Sequence, residues 1–467
     1  MNASNIPPSN SSDLIVVLAL SFGLLVTSAI ADIFIAYPLL AALALLIVAL
    51  LRRGFAFSAL MRMAWTGAKQ AIPVVYILLL IGVLTAVWMA AGTVPALVYY
   101  GTQLISPRFF ILWAFVLCSG LSVLIGTSFG TVGTIGVALM VIARGSDMAV
   151  GPVAGAIIAG AFVGDRCSPL SSSAHLVAAI TRSDLYTNLR NMAISSVWPM
   201  LLSIVFYAAI SLWQPLVPIA NSSIAVELPK SFDLSLAALL PAVVVLVLAV
   251  LRVNVKLAML ASIGTGVAIA HALQQVPFFS IFKFSLLGYE QNNPLLQSVL
   301  IGGGFLPMAK ATTAVFISTA FAGIFSGSRI LSFTHRWLQH IRTCRQLSRA
   351  TVAISFFSNL FGCTQTIGIL LTEQLMRPHY ERYYTNLAEA ESQLALAIED
   401  SATVNAPFIP WNIAGLIPAT VLAVGPGFIP YLVYLLLLPV FLVLRGRSPI
   451  HSRKTSLEVE LSSHENA

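Results

Sequence analysis

The chain has 467 residues, of which 58% are hydrophobic and 9% charged, and a formal net charge of +8. Soluble globular proteins carry about 25% charged residues, so the composition excludes a soluble enzyme and describes an all-α polytopic membrane protein. The excess of base is no nucleic-acid footprint: Arg52, Arg53, Arg62 and Lys69 crowd one loop, Arg329, Arg336, Arg342, Arg345 and Arg349 another, and Arg445, Arg447, Arg453 and Lys454 follow the last apolar run. The positive-inside rule places all three clusters in the cytoplasm.

In chain order, residues 1–13 contain Asp13 but no Lys or Arg, so the first apolar run lacks the basic start of a cleaved signal peptide and reads as a retained helix. Asp32 separates runs 14–30 and 33–51 almost without a loop, which predicts a tight helical hairpin whose tip faces away from the basic loop 52–69, with the N terminus cytoplasmic. Run 72–101 is broken at Gly92-Thr93-Val94-Pro95, and residues 109–143 contain Gly126, Gly130, Gly133 and Gly136, poor helix material that admits close backbone approach in a membrane. Further apolar runs span 197–212, 236–251, 257–273, 350–371, 413–424 and 431–444. With broken helices counted once, about 12 crossings are expected. The polar, proline-bearing stretch 214–230 is the expected linker between an N-terminal unit, 1–230, and a C-terminal unit, 231–467, that ends in a short cytoplasmic tail.

The stretch Gly164-Asp165-Arg166-Cys167-Ser168-Pro169-Leu170-Ser171-Ser172-Ser173-Ala174-His175 interrupts an otherwise apolar run. An ionised Asp at the centre of a membrane helix costs roughly 2.5 to 3.5 kcal/mol on insertion scales, so an acid kept there points to function. Pro169 cannot donate to the carbonyl four residues earlier, which offers backbone and serine oxygens beside a carboxylate at membrane depth, the chemistry of a cation site. A partial repeat sharpens this. Phe129 to Gly136 and Phe361 to Gly368 agree at five of eight positions, 232 residues apart, and Asp165 has a counterpart in Asp400, within Glu399-Asp400-Ser401-Ala402-Thr403-Val404-Asn405-Ala406-Pro407. Loop 52–69 is basic where its equivalent, about 284–301, has no Lys or Arg, and loop 329–349 is basic where 101–108 has Arg108 alone. Equivalent loops on opposite sides are the mark of two inverted-topology repeats whose discontinuous helices meet near the midplane.

The expected coupling acids are Asp165, Asp400 and Glu399. Expected oxygen ligands are Thr127, Ser128, Thr131, Ser168, Ser171, Ser172 and Ser173 in the first repeat, and Thr364, Thr366, Ser401, Thr403, Asn405 and Asn412 in the second. A cap or an ion pair to Arg166 is the structural alternative for Asp165. His175, one turn after Ser171, is a candidate proton relay or a hydrogen-bonded core residue; Lys310, in a glycine-broken apolar stretch, is a candidate anion partner or a snorkelling side chain. Cys118, Cys167, Cys344 and Cys363 lack metal-ligand spacing and read as buried hydrophobes. There is no P-loop and no nucleophile elbow around the serines, so neither a cofactor, an ATP-driven pump nor a hydrolase is indicated.

At these motifs the sequence resembles the NhaC-type Na+/H+ antiporter family: in the glycine and threonine block 126–136, in a Gly-Asp-x-x-Ser-Pro-x-Ser-Asp-Thr-Thr segment at 164–174, and in a Glu-Asp-Ser-x-Thr…Pro-x-Ile-Pro-Trp-Asn segment at 399–412. The resemblance implies a secondary active transporter in the cell (inner) membrane that exchanges Na+ for H+, with Asp165 and Asp400 holding Na+, or that couples these ions to a small carboxylate or amino acid. Its partners would be those ions or solutes and membrane lipid, with no nucleic acid; an oligomer is compatible with it. Ser171-Ser172-Ser173-Ala174 departs from the family pattern, since Ser172 stands where the family has an acid, which weakens the charge expected for dehydrating Na+.

Overall fold

The structure is a computed structural model that describes residues 11–31, 33–104, 107–146, 148–214, 223–251, 253–291, 293, 302–328, 338 and 341–445. The described chain is helical, with one isolated antiparallel bridge between Tyr289 and Gly302. The helices are α1 (Ser11–Ile30), α2 (Ala36–Arg52), α3 (Phe57–Lys69), α4 (Ile72–Ala90), α5 (Thr93–Leu104), α6 (Phe110–Ile125), α7 (Ser128–Thr131), α8 (Val137–Gly145), α9 (Val150–Cys167), α10 (Ser172–Thr181) and α11 (Leu185–Trp213). They continue with α12 (Ser223–Ser231), α13 (Leu240–Val250), α14 (Val255–Ala272), α15 (Phe278–Leu287), α16 (Phe305–Gly327), α17 (Cys344–Gly362), α18 (Gln365–Tyr383), α19 (Leu387–Glu399), α20 (Ala402–Asn405), α21 (Ile413–Val421) and α22 (Val433–Arg445). Among the described residues, five helices are long and apolar enough to cross a membrane: α4, α9, α11, α14 and α16. The chain is therefore a multi-pass membrane protein, and apolar side chains such as Leu201 and Val205 on α11 and Phe279 on α15 lie exposed on its exterior.

Helix α9 is the centre of the fold, with 83% of its span buried. Its small residues let α6 approach at backbone distance. Gly164 N–H donates to Ser122 Oγ at 3.1 Å, and that hydroxyl donates in turn to the Ala161 carbonyl. A side chain at Gly164 would collide with the Ser122 backbone. Gly164→Val is therefore expected to destabilise the fold by about 1–3 kcal/mol or more; a monodisperse, wild-type-like elution profile and melting temperature for that variant would refute the packing argument.

Two expectations change. Residues 52–69 are not a loop: α3 forms because Leu60 and Gly67, seven apart, face α16, where Gly67 lies against Gly323, while Phe57 and Trp65 stay outside. Run 350–371 is not one span, because the chain leaves α17 at Cys363, in the left-handed region at φ 52°, and restarts at α18. Of the linker 214–230, the part from Ser223 onward is helical. The hairpin tip at Asp32, linker residues 215–222, Arg329, Arg336 and the tail from 446 lie outside the described residues.

Candidate functional site: buried acids between two helix breaks

The first break follows from Pro169. Proline has no N–H, so the Asp165 carbonyl loses its helical donor. Two serines replace it: Ser171 Oγ donates to the Asp165 carbonyl, as does Ser173 Oγ at 2.7 Å. Ser171 also caps α10 by accepting from Ala174 N–H at 3.2 Å. These hydroxyls complete the backbone; they are not aimed at the carboxylate. Ser168 Oγ is likewise spent, on the Val123 carbonyl at 2.7 Å.

The Asp165 side chain faces two helix starts. Gln365, the first residue of α18, donates from Nε2 to Asp165 Oδ2 at 3.2 Å and to the Thr403 carbonyl at 3.0 Å. Ser128, the first residue of α7, lies beside the Asp165 carboxylate. Helix N-termini carry partial positive charge and favour an anion. The starts are built alike: α6 ends at Gly126, φ 75°, and α17 at Cys363, each followed by a threonine in extended conformation, Thr127 and Thr364. At Gly126 a side chain would add strain and meet Leu170. Beyond α7 the helix passes through a π-helical turn, Val132–Gly136, a distortion frequent at functional sites.

The second break ends α19 at Glu399 and turns through Asp400 and Ser401 into α20. Glu399 is 1% exposed, and neither of its carboxylate oxygens has a hydrogen-bond partner among the described residues. Thr403 lies beside it, but no hydrogen bond of ordinary length and angle joins them, and Thr403 Oγ1 is also unpartnered. The charges of Arg166, Asp165 and Asp400 all act on Glu399, that of Arg166 most strongly. Asp165, Ser128, Thr403 and Glu399, all buried, thus form one cluster with the half-buried Gln365.

Asp400 belongs to a second, adjoining group. It forms an ion pair with Arg166, and Ser195 Oγ donates to its Oδ1 at 3.1 Å. The fully buried guanidinium also donates to Ser195, to Ser196 and to the Met192 carbonyl at 3.2 Å. Ser196 continues the network to Tyr434 Oη at 3.0 Å. The sequence alternative of an Asp165–Arg166 pair is thereby excluded: the two neighbours leave α9 in different directions, Asp165 toward α18 and Arg166 toward α19 and α11.

Other predicted residues sit elsewhere. Ser172, His175, Thr366 and Lys310 are exposed. His175 Nδ1 pairs with the Ser171 carbonyl at 2.8 Å, and the Lys310 ammonium lies over the Phe34 ring at 5.3 Å. Thr131 and Ser401 bond back to their own chain, at the Thr127 and Ala397 carbonyls. Asn405 reaches Ser355 Oγ at 3.1 Å, and Asn412 both reaches the Asn359 carbonyl at 2.9 Å and caps α21. Sequence reasoning weighed Arg166 only as a partner for Asp165 and passed over Gln365, although both stand inside the motifs it singled out; Ser195, Ser196 and Tyr434 carried no local signal.

The sequence model of the Na+/H+ antiporter family matches residues 9–179 and 160–446. The chain is 31% identical to the Na+/H+ antiporter NhaC of Alkalihalophilus pseudofirmus, over 81% of this chain and 83% of that protein. It is 27% identical to the malate-2H+/Na+-lactate antiporter of Bacillus subtilis, over 82% of each. It is 26% identical to the arginine/ornithine antiporter ArcD of Halobacterium salinarum, over 80% of this chain and 78% of that protein.

Proposed function

The chain belongs to the Na+/H+ antiporter family, a family of transporters, and on that premise we propose that it exchanges Na+ for H+ at the cluster of Asp165 and Glu399. The observation that carries the reading is Glu399, buried with both oxygens unpartnered among the described residues. A buried ionised carboxylate without a partner is costly, so it either takes up a proton or binds a cation. A group with those two options, beside a second acid, can load one ion only by releasing the other. Asp165 Oδ2, the Thr403 hydroxyl and the Ser128 hydroxyl supply further hard oxygens of the kind Na+ requires. Asp400 is paired with Arg166 and acts on the neighbouring charge rather than carrying the ion.

The wider proposal is an architecture of two inverted repeats, 1–230 and 231–467, with about 12 crossings, cytoplasmic termini and a place in the cell membrane. The matched breaks at Gly126-Thr127 and Cys363-Thr364 support it. A second reading, exchange coupled to an organic acid or amino acid, is favoured by the similarity to the malate/lactate exchanger, which extends over 82% of the chain against 81% for the Na+/H+ antiporter. Purified protein in proteoliposomes, challenged with Na+, Li+, K+, carboxylates and amino acids while internal pH is recorded, separates the two. Na+-driven proton release without an organic solute supports the first, and proton flux that requires the solute supports the second.

Ser172 gives a sharper check on which part of the first motif matters. Because it is exposed at the start of α10, Ser172→Asp is expected to leave apparent Na+ affinity within about twofold of wild type, a change worth less than 0.5 kcal/mol. A tenfold gain would move the ion site out of the cluster and toward α10.

A further inference from the structure

The geometry points to a second ligand site, for a small organic monocarboxylate, in a cavity that none of the acids described above lines. The cavity measures about 380 Å3 and lies where one face of α8, the ends of α15 and α21 and the start of α16 converge on the side of α4. Its walls are mainly apolar, formed by Ile81, Met89, Val137, Met140 and Met308 among others. Small-molecule sites are typically of this kind: an apolar cleft of about 300–1,000 Å3 with a few polar groups that fix orientation.

The polar groups define the ligand. Arg144, in the last turn of α8, spends one nitrogen, Nη2, on the carbonyls of Leu422 and Ala423, at 2.6 and 2.8 Å. These two bonds anchor the half-buried guanidinium beside the turn after α21. Its Nε and Nη1 have no hydrogen-bond or ion-pair partner among the described residues, although Arg144 lines the cavity. Tyr289 also lines it; 7% exposed, it has a hydroxyl with no partner among the described residues. Thr85 and Thr420 line the cavity as well, but their hydroxyls are spent on carbonyls of their own helices.

An immobilised guanidinium with free donors, lining the same cavity as a free phenol, matches a carboxylate, because charge-assisted hydrogen bonds from Arg to carboxylate are among the stronger ones. Glu290, also on the lining but exposed, makes no ion pair with Arg144 among the described residues. Its charge disfavours a second carboxylate, so a monocarboxylate with a short apolar tail fits better than a dicarboxylate. Cation exchange at Asp165 and Glu399 is a separate matter, and the site stands or falls without it.

The test is ligand binding to the purified full-length chain in detergent, followed by melting temperature and titration calorimetry, with propionate, L-lactate, succinate and the uncharged propionamide as probes at constant ionic strength. Propionate and L-lactate are expected to bind saturably and raise the melting temperature, succinate to bind more weakly, and propionamide not to bind. Arg144→Gln is expected to weaken propionate at least about tenfold. Because Arg144 also anchors the turn after α21, Met140→Trp provides a second variant that fills the cavity and keeps the guanidinium; it is expected to abolish propionate binding while Na+-dependent exchange persists. Equal binding of propionamide, full propionate affinity in a folded Met140→Trp protein, or no saturable effect of any probe on the wild type would each overturn the site.

Discussion

Glu399→Gln is expected to reduce Na+-dependent proton release by about 10²-fold or to background, the scale on which removal of one positioned proton-transfer group is felt, while leaving the melting temperature equal to or above that of the wild type. The combination is what matters. Both carboxylate oxygens of Glu399 are buried without hydrogen-bond partners among the described residues, so the charged form weakens the fold and the neutral amide relieves it. A residue that stabilised the helix end would show the opposite pair of effects: transport scaling with folded yield and a lowered melting temperature. Flux from reconstituted vesicles, normalised to folded protein, together with melting curves in detergent, discriminates the two; near-wild-type flux in Glu399→Gln would remove it from the ion path.

Arg166→Leu is expected to be the most damaging single change to stability. It leaves Asp400 buried without its counter-charge, and breaking one side of a buried pair costs about 3–5 kcal/mol. The double variant Arg166→Met/Asp400→Leu removes both charges and is expected to recover most of that loss, because buried pairs replaced by apolar residues of similar size are often neutral in stability. Since Ser195, Ser196 and Tyr434 bond into the same network, recovery short of complete is consistent with the loss of those hydrogen bonds. The double variant also separates the acids. If Asp165 and Glu399 carry the ions, the folded double variant still exchanges Na+ for H+; a well-folded double variant without exchange would show that the Arg166–Asp400 pair is itself required for exchange. Wild-type thermal stability in Arg166→Leu would show that the pair has no part in holding α9 to α19.

Much of the architecture was legible because membrane chemistry leaves few options for the chain. Glycines, prolines and hydroxyls inside apolar runs predicted breaks at 92–95, 126–136 and 164–175, and the helices stop at or beside each of them. Run 350–371 misled because Cys363 and Thr364 are apolar or small enough to hide a break that only a positive φ and a threonine cap reveal. Loop 52–69 misled because its four basic residues outweighed the spacing of Leu60 and Gly67. At the candidate site, the acids were singled out because a carboxylate beside a proline break at membrane depth stands out and the partial repeat pairs Asp165 with Asp400. The partners were not. Arg166 beside Asp165 suggested a local pair, whereas successive side chains on a helix point about 100° apart and reach different neighbours. The serines of the first motif were expected to serve an ion, and the structure spends Ser168, Ser171 and Ser173 on backbone carbonyls, one of them stripped of its donor by Pro169.

The central claim is that Na+ and H+ compete for one buried pair of acids, Asp165 and Glu399, and the most direct test is the apparent Na+ affinity of reconstituted protein as a function of pH. Competition predicts that the Na+ concentration giving half-maximal proton release falls up to about tenfold for each unit rise in pH while protons occupy the site, about 1.4 kcal/mol of linked free energy, and that the maximal rate stays nearly constant. In Asp165→Asn this dependence is expected to weaken or vanish. A half-maximal Na+ concentration unchanged across the same pH range, with the maximal rate alone responding, would contradict competition and place proton and cation on separate groups.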